Sequence, residues 1–283
     1  MSAHPFRIVN VFTHRQGPLT GNPLCVFENG AGFDSHTMQA LARQFNLSET
    51  TFILPSSRAN ARVRIFTPNY EMPFAGHPTL GTAHVCRALR LGGDALRLEM
   101  QVGLIDVDAH ENRWTLTAPP NPSWREVEVS RAALAQALGL DEPDIGDRPL
   151  WVKAGTEQLI VPLNSTDAVR RAAPQPNAFA RIQSENGAGM AYVFAESGAA
   201  QTLARFFFPQ KGAMLEDPAT GSATANFGGW YLATGRPLPA RVQISQGEFV
   251  SRPSSLYLEI STERQIRVGG DVIEIGSGAV NLD

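Results

Sequence analysis

Residues 74–83 read FAGHPTLGTA, and residues 216–225 read EDPATGSATA. Each string sets an ionisable residue before a proline, His77-Pro78 in one and Asp217-Pro218 in the other. Each runs on into a stretch that is apolar on nearly every side, Thr79–Leu91 and Thr220–Ala233, the pattern of a helix surrounded by protein. Glycine is expected to stop both, at Gly92-Gly93 and at Gly235 with Pro237 beyond it. The likeness continues upstream: RIFTP at 64–68 precedes the first string, and RFFFP at 205–209 precedes the second with a loop one residue shorter. Thr51-Phe52-Ile53 and Tyr192-Val193-Phe194 stand at nearly the same distance before their arginines. The offset of about 140 residues is half of the 283-residue chain, and agreement in order, spacing and predicted element reads as an internal duplication. An α+β fold follows: two pseudo-symmetric halves, each a strand-rich layer wrapped round one helix.

Short strand patterns fill most of the remainder, from Phe6–Thr13 to Gln265–Gly269 and Val272–Ile275. Gly (25) and Pro (20) are spread along the chain rather than gathered in a linker, as many strands joined by turns require. Ser35–Phe45 and Arg131–Leu138 read as amphipathic surface helices. The boundary is expected in the proline-rich stretch Pro119–Ser123. That gives halves of 1–119 and 120–271, with a C-terminal strand at about 272–283 returning to the first half.

Composition excludes several classes. The net charge is -3, from 24 Lys plus Arg against 27 Asp plus Glu, with no run of like charge, so nucleic acid is not an expected partner. No stretch approaches the roughly 18 apolar residues of a membrane span. Cys25 and Cys86 are the two cysteines, without a Cys-x-x-Cys or Cys/His cluster, and read as free thiols of a cytosolic protein. No Gly-x-Gly-x-x-Gly follows a strand, no P-loop occurs, and neither Lys153 nor Lys211 sits in a Schiff-base context. Gly276-Ser277-Gly278 is too short a match. No cofactor is expected. His84 shares a helical face with His77, but two turns separate them and no carboxylate cluster accompanies them, so no metal is expected either.

The duplicated strings place chemistry at two helix starts. A helix N-terminus carries unsatisfied N–H groups and about half a positive charge, which suits a carboxylate or an enolate. Such fixed dipoles meet the negative charge that develops when a C–H beside a carboxylate ionises. Gly76 and His77 stand at the first start. Asp217 stands at the second, with Gly221 and Ser222 just inside. His77 and Asp217 are therefore candidate proton carriers, one from each half. Glu49, in a polar turn leading into a strand, is a third; an apolar, dewatered pocket would raise its pKa and fit it for acid–base work. Each has an ordinary structural alternative: Glu49 a surface turn residue, Asp217 a helix cap, His77 a hydrogen-bonded structural histidine.

GNPLCVF (21–27), SETTFI (48–53), RIFTP (64–68), FAGHPTLGTA (74–83) and EDPATGSATA (216–225), with Gln246-Gly247 near the end, resemble the PhzF phenazine-biosynthesis family across nearly the whole chain. The resemblance implies the diaminopimelate-epimerase-like fold, each half a curved, mostly antiparallel sheet or open barrel around a central helix, with the active site between the halves. It implies a cofactor-independent isomerase moving a proton within a small carboxylate such as trans-2,3-dihydro-3-hydroxyanthranilate, and a homodimer. Residue by residue, Glu49 resembles the acid–base glutamate, and His77 and Asp217 the polar residues that position substrate. Gly76 and Ser222 match substrate-holding positions, and Gly221 lies beside the second. Related racemases use a cysteine at each helix head, where this chain has His77 and Asp217. An amino-acid epimerase or racemase is the alternative within enzymes, and a ligand-binding protein that keeps the pocket is the alternative outside them.

Overall fold

The computed structural model describes residues 3–185 and 187–282. The chain forms two units, Met1–Thr117 with Gly269–Asp283, and Ala118–Val268. In order, the first contains β1 (Ala3–Val11), β2 (Asn22–Phe27), α1 (Ser35–Phe45), β3 (Glu49–Leu54), β4 (Ala61–Phe66), β5 (Glu71–Met72), α2 (Gly76–Ala88), β6 (Ala95–Met100), β7 (Gly103–His110) and β8 (Arg113–Thr117). The second contains β9 (Ser123–Glu126), α3 (Arg131–Leu138), β10 (Leu150–Lys153), β11 (Glu157–Pro162), α4 (Thr166–Arg171), α5 (Pro176–Phe179), β12 (Gln183–Ser184), β13 (Gly187–Ala188), β14 (Ala191–Gly198), β15 (Gln201–Gln210), β16 (Ala213–Asp217), α6 (Gly221–Ala233), β17 (Ala240–Gln246) and β18 (Ser254–Ile260). The last strand, β19 (Ile266–Asn281), begins in the second unit and continues in the first.

In the first unit β1 and β2 are antiparallel, β2 and β3 parallel, β3 and β4 antiparallel, β4 and β6 parallel, and β6, β7 and β8 antiparallel in turn. Because β19 pairs with both β8 and β1, these eight strands close on themselves. The second unit repeats the steps: β10–β11 antiparallel, β11–β14 parallel, β14–β15 antiparallel, β15–β17 parallel, β17–β18 antiparallel. The duplication is thus of a whole folding unit, not of two helices alone. The fold is α+β, two copies of a strand layer around one helix, as the duplicated motifs imply.

Strand alternation explains the burial. On β14, Ala191, Val193 and Ala195 join an outer apolar layer with α3, α4 and α5, whereas Phe194 and its partner in alternation, Tyr192, meet Phe227 of α6 at ring separations of 4.4 and 6.0 Å. Both faces are covered, so the strand reads as a continuous apolar run. On β3, Phe52 and Leu54 pack outward with Phe27, Met38 and Leu41, and Phe27 and Phe52 stack at 4.9 Å. Thr51 faces the other way and shares a 2.8 Å hydrogen bond with Thr82 of α2. Glu49 has the same parity as Thr51, so β3 aims it at the start of α2. Helix α2 lies close against β1 and β2. A Cβ at Gly81 would sit 2.6 Å from Leu24 Cδ2 and 2.9 Å from Val11 Cγ2, so the position requires glycine for close approach.

An arginine device also recurs. Arg64 holds Glu71 through Nε (2.7 Å) and Nη2 (2.6 Å) and lies over the Phe66 ring. Arg205 holds Glu216 through Nε (3.1 Å) and Nη2 (2.7 Å) and lies over Phe207. Its Nη1 also donates to the carbonyls of Val169, Arg170 and Ala172 at the end of α4.

Several expectations are corrected. Helix α2 spans Gly76–Ala88 rather than Thr79–Leu91. It ends before Gly92-Gly93 because Arg90 takes the left-handed conformation (φ 60°) and Leu91 N donates to Cys86 O. Helix α6 ends as expected, with Gly235 at φ 68°. The two strands read at 265–275 are one, since Gly269 passes so close to β8 that a Cβ would lie 2.4 Å from Thr115 Oγ1. The four-residue strands β9 and β10 are too short to show a period and were not foreseen. Among the described residues no helix is long and apolar enough to cross a membrane.

Candidate active site

The surface helices α1, α3 and α4 are capped by their own side chains: Asp34 accepts from Thr37 N, Ser130 from Ala133 N and Ser165 from Ala168 N. The two central helices have no such cap. At α2 the cap position is Ala75, which has no acceptor to offer, and Pro78 in the first turn has no N–H to satisfy. At α6 the cap position is Thr220, but its hydroxyl is diverted: it donates to Asp217 Oδ2 (2.5 Å) and accepts from Gln246 Nε2 (3.0 Å). Gln246 also donates to the Asp217 carbonyl (2.9 Å) and accepts from Thr220 N (3.3 Å), which clamps the chain between β16 and α6. No cap side chain engages the first N–H groups of either helix.

In the first unit the structure brings three predicted residues together. Gly76 is the first residue of α2 and His77 the second. Glu49, the first residue of β3, approaches His77 with Oε2 3.4 Å from Nδ1, and the two side chains are only 16% and 6% exposed. Burial drives the His77 pKa from 6.5 down to about 3, with the Pro23 carbonyl pulling weakly the other way. His77 is therefore a neutral imidazole at physiological pH. Its Nε2 is buried and has no hydrogen-bond partner among the described residues. A buried polar atom in that condition costs stability.

The second unit holds Asp217 at the end of β16, tied to Thr220, with Gly221 as the first residue of α6 and Ser222 as the second. Ser222 is half-buried and accepts from Gln158 Nε2 at 3.0 Å. The aligned repeats begin their helices at different points: Asp217 lies outside α6, while its counterpart His77 lies inside α2. At the place of Glu49 the second repeat has Met190. A carboxylate at that position belongs to one unit alone.

His84, on the same helical face as His77, is engaged elsewhere. Its Nδ1 accepts from Trp114 Nε1 (3.3 Å), and no group of three or more His, Cys, Asp or Glu among the described residues is arranged for a metal. Both cysteines are buried, and burial raises the Cys86 pKa to about 12. Sequence reasoning missed Thr220, Gln158 and Asn226. The spacing of Ser222 and Asn226, four apart on an otherwise apolar helix, was the available signal; Gln158 offered none.

Two duplicated strand-rich units, each wrapped round an uncapped central helix, define the α+β class of this chain. The chain belongs to the phenazine biosynthesis-like PhzC-PhzF family, whose model matches residues 9–278. An uncharacterised isomerase of Pasteurella multocida is 37% identical, over 98% of this chain and 94% of that protein. The trans-2,3-dihydro-3-hydroxyanthranilate isomerase of Pseudomonas fluorescens is 31% identical, over 99% and 100%. Among solved structures, a PhzF-family phenazine biosynthesis protein of Bacillus anthracis superposes with a TM-score of 0.87 at 24% identity, over 100% of both chains. The chain is an isomerase of this family.

Proposed function

We propose that the chain isomerises a small cyclic carboxylate of the trans-2,3-dihydro-3-hydroxyanthranilate type by moving one proton within the molecule. Glu49 takes the proton from a carbon conjugated to the carboxylate and returns it at another carbon of the same system, regenerating the glutamate. The observation that carries this reading is the Glu49 carboxylate 3.4 Å from a buried, neutral His77 at an uncapped helix start. His77, neutral, presents its buried Nε2 to the substrate rather than a charge, and so orients the substrate beside Glu49 without holding the carboxylate permanently as an ion pair. Asp217 orients the substrate's polar substituents, and Gly76, Gly221 and Ser222 bind through backbone N–H and hydroxyl groups. The electron pair released at the carbon is stabilised by those donors. His77 and Asp217 at the helix heads, where related racemases have paired cysteines, favour this single-base reading over a symmetric two-thiol racemase. The same reading carries a cytosolic location and a homodimer, the latter resting on family likeness alone.

The test is proton NMR in deuterium oxide with trans-2,3-dihydro-3-hydroxyanthranilate and a panel of cyclic and amino-acid carboxylates, for the wild type and Glu49→Gln. Positional isomerisation by the wild type and a loss of at least about 100-fold in the variant are expected. Deuterium returned to the same stereocentre with inversion would make it an epimerase. Saturable binding without exchange would make it a binding protein.

A further inference from the structure

The second unit contains a chain of buried amides leading to Ser222, and every link in it has a fixed direction. Ala154 N–H can only donate, and it donates to Asn226 Oδ1 at 2.6 Å. That fixes the Asn226 amide, whose Nδ2 must then be the donor to Thr156 O (2.9 Å) and to Gln158 Oε1 (2.8 Å). Gln158 is fixed in turn, and its Nε2 donates to Ser222 Oγ at 3.0 Å. Gln158 and Asn226 are 2% and 1% exposed. The Ser222 hydroxyl makes no other hydrogen bond among the described residues, so its own O–H is left to donate away from the relay. It sits in the first turn of α6 beside N–H groups that no side chain caps.

We infer that Gln158 and Asn226 are positioning residues that hold the Ser222 hydroxyl as an obligate donor, so that the α6 start selects a carboxylate over its neutral amide. This rests on the assignment of Ser222 to substrate binding made above. Asn226 alone would suffice to satisfy the backbone groups of the β10–β11 turn, Ala154 N and Thr156 O. Gln158 is not needed for that purpose. Burying a second amide costs free energy unless all its groups are paired, and its outer end is spent on one atom, Ser222 Oγ. The polarity of the relay is what distinguishes an anion site. A carboxylate offers a charged acceptor at both oxygens, whereas a carboxamide offers one neutral carbonyl oxygen, and its NH2 side meets only donors among the hydroxyl hydrogen and the uncapped N–H groups.

The relay can be reversed without changing its shape. Gln158→Glu keeps the acceptor for Asn226 and replaces the outer donor by an acceptor, so the Ser222 O–H turns inward to it. Asn226→Asp removes the Nδ2 donor, and the Gln158 amide then turns its Nε2 inward and shows Oε1 to Ser222. The probes are 2-aminobenzoate and 2-aminobenzamide, titrated by calorimetry into wild type, Ser222→Ala, Gln158→Glu, Asn226→Asp and the Ser222→Ala/Gln158→Glu double variant, each checked by thermal melt. Ser222→Ala and Gln158→Glu should each weaken 2-aminobenzoate by about 10- to 100-fold, the loss of one hydrogen bond to a charged group. The double variant should lose no more than the weaker single variant, and 2-aminobenzamide should be affected several-fold less. Charge repulsion from Glu would instead multiply with the Ser222→Ala loss, and a purely structural role would weaken both probes alike; either result overturns the relay. Should Gln158→Glu fail to fold, Asn226→Asp carries the same comparison. Unchanged 2-aminobenzoate affinity in Ser222→Ala would instead refute the substrate-binding assignment of Ser222. No binding to the wild type would refute the substrate class itself.

Discussion

His77 makes a quantitative prediction about stability against pH. Burial lowers its pKa from 6.5 to about 3. The unfolded chain therefore binds a proton between those values that the folded chain refuses. A group of this kind contributes its stability above the unfolded pKa and loses it as pH falls. Working from the two values, the loss between pH 7 and pH 5 is about 2 kcal/mol from this one side chain, at close to 1.4 kcal/mol per pH unit below the unfolded pKa. The perturbation is His77→Gln, which keeps a polar side chain of similar reach and removes the titration. Urea denaturation of wild type and variant at pH 7, 6 and 5 gives the difference in stability at each pH, in which unrelated groups cancel. Wild type should lose its advantage, or deepen its deficit, by about 2 kcal/mol on going to pH 5. Repeating the pair in a Glu49→Gln background separates the titration of the adjacent carboxylate, 3.4 Å away. A difference that stays constant would mean that burial does not shift His77, and one that moves the other way would mean that it is an imidazolium paired with Glu49. The role given to it as a neutral partner would then fail.

Two further outcomes follow from burial elsewhere. Arg205→Met should destabilise the second unit by about 3–5 kcal/mol, measured by thermal or urea unfolding, because it strands Glu216 and the three carbonyls at the end of α4 in a site where both side chains are at most 10% exposed. The thiols of Cys25 and Cys86, both buried and both raised in pKa, should not react with a disulfide reagent at pH 8 until the protein unfolds; a rapid stoichiometric reaction in native buffer would contradict the packing described.

Much of the architecture was legible in the residues. The duplicated motifs announce two copies of one unit because each must supply the same things: a strand ending at proline, a loop, and a helix apolar all round. Helix α1 and helix α3 were readable to the residue, since a surface helix advertises its buried stripe and its caps. The start of α2 was not. Proline at 78 suggested a helix beginning after it, but Pro78 fits inside a first turn that begins at Gly76, and only the backbone decides which.

The candidate site divides in the same way. Glu49, His77, Gly76, Asp217, Gly221 and Ser222 stood out because they sit at helix starts or at the head of a strand, positions whose chemistry is local. That Glu49 faces His77 was decided by the parity of β3 and the placement of α2 inside the closed strands. The neutrality of His77 is likewise tertiary, because desolvation depends on everything that surrounds a group and on nothing adjacent to it in sequence. The amide relay is the extreme case. Ala154, Gln158, Ser222 and Asn226 come from a turn, a strand and a helix separated by up to 72 residues, and the direction of each hydrogen bond is set by the one before it. A sequence lists donors and acceptors; only the folded chain, by pairing them, fixes which way each one points.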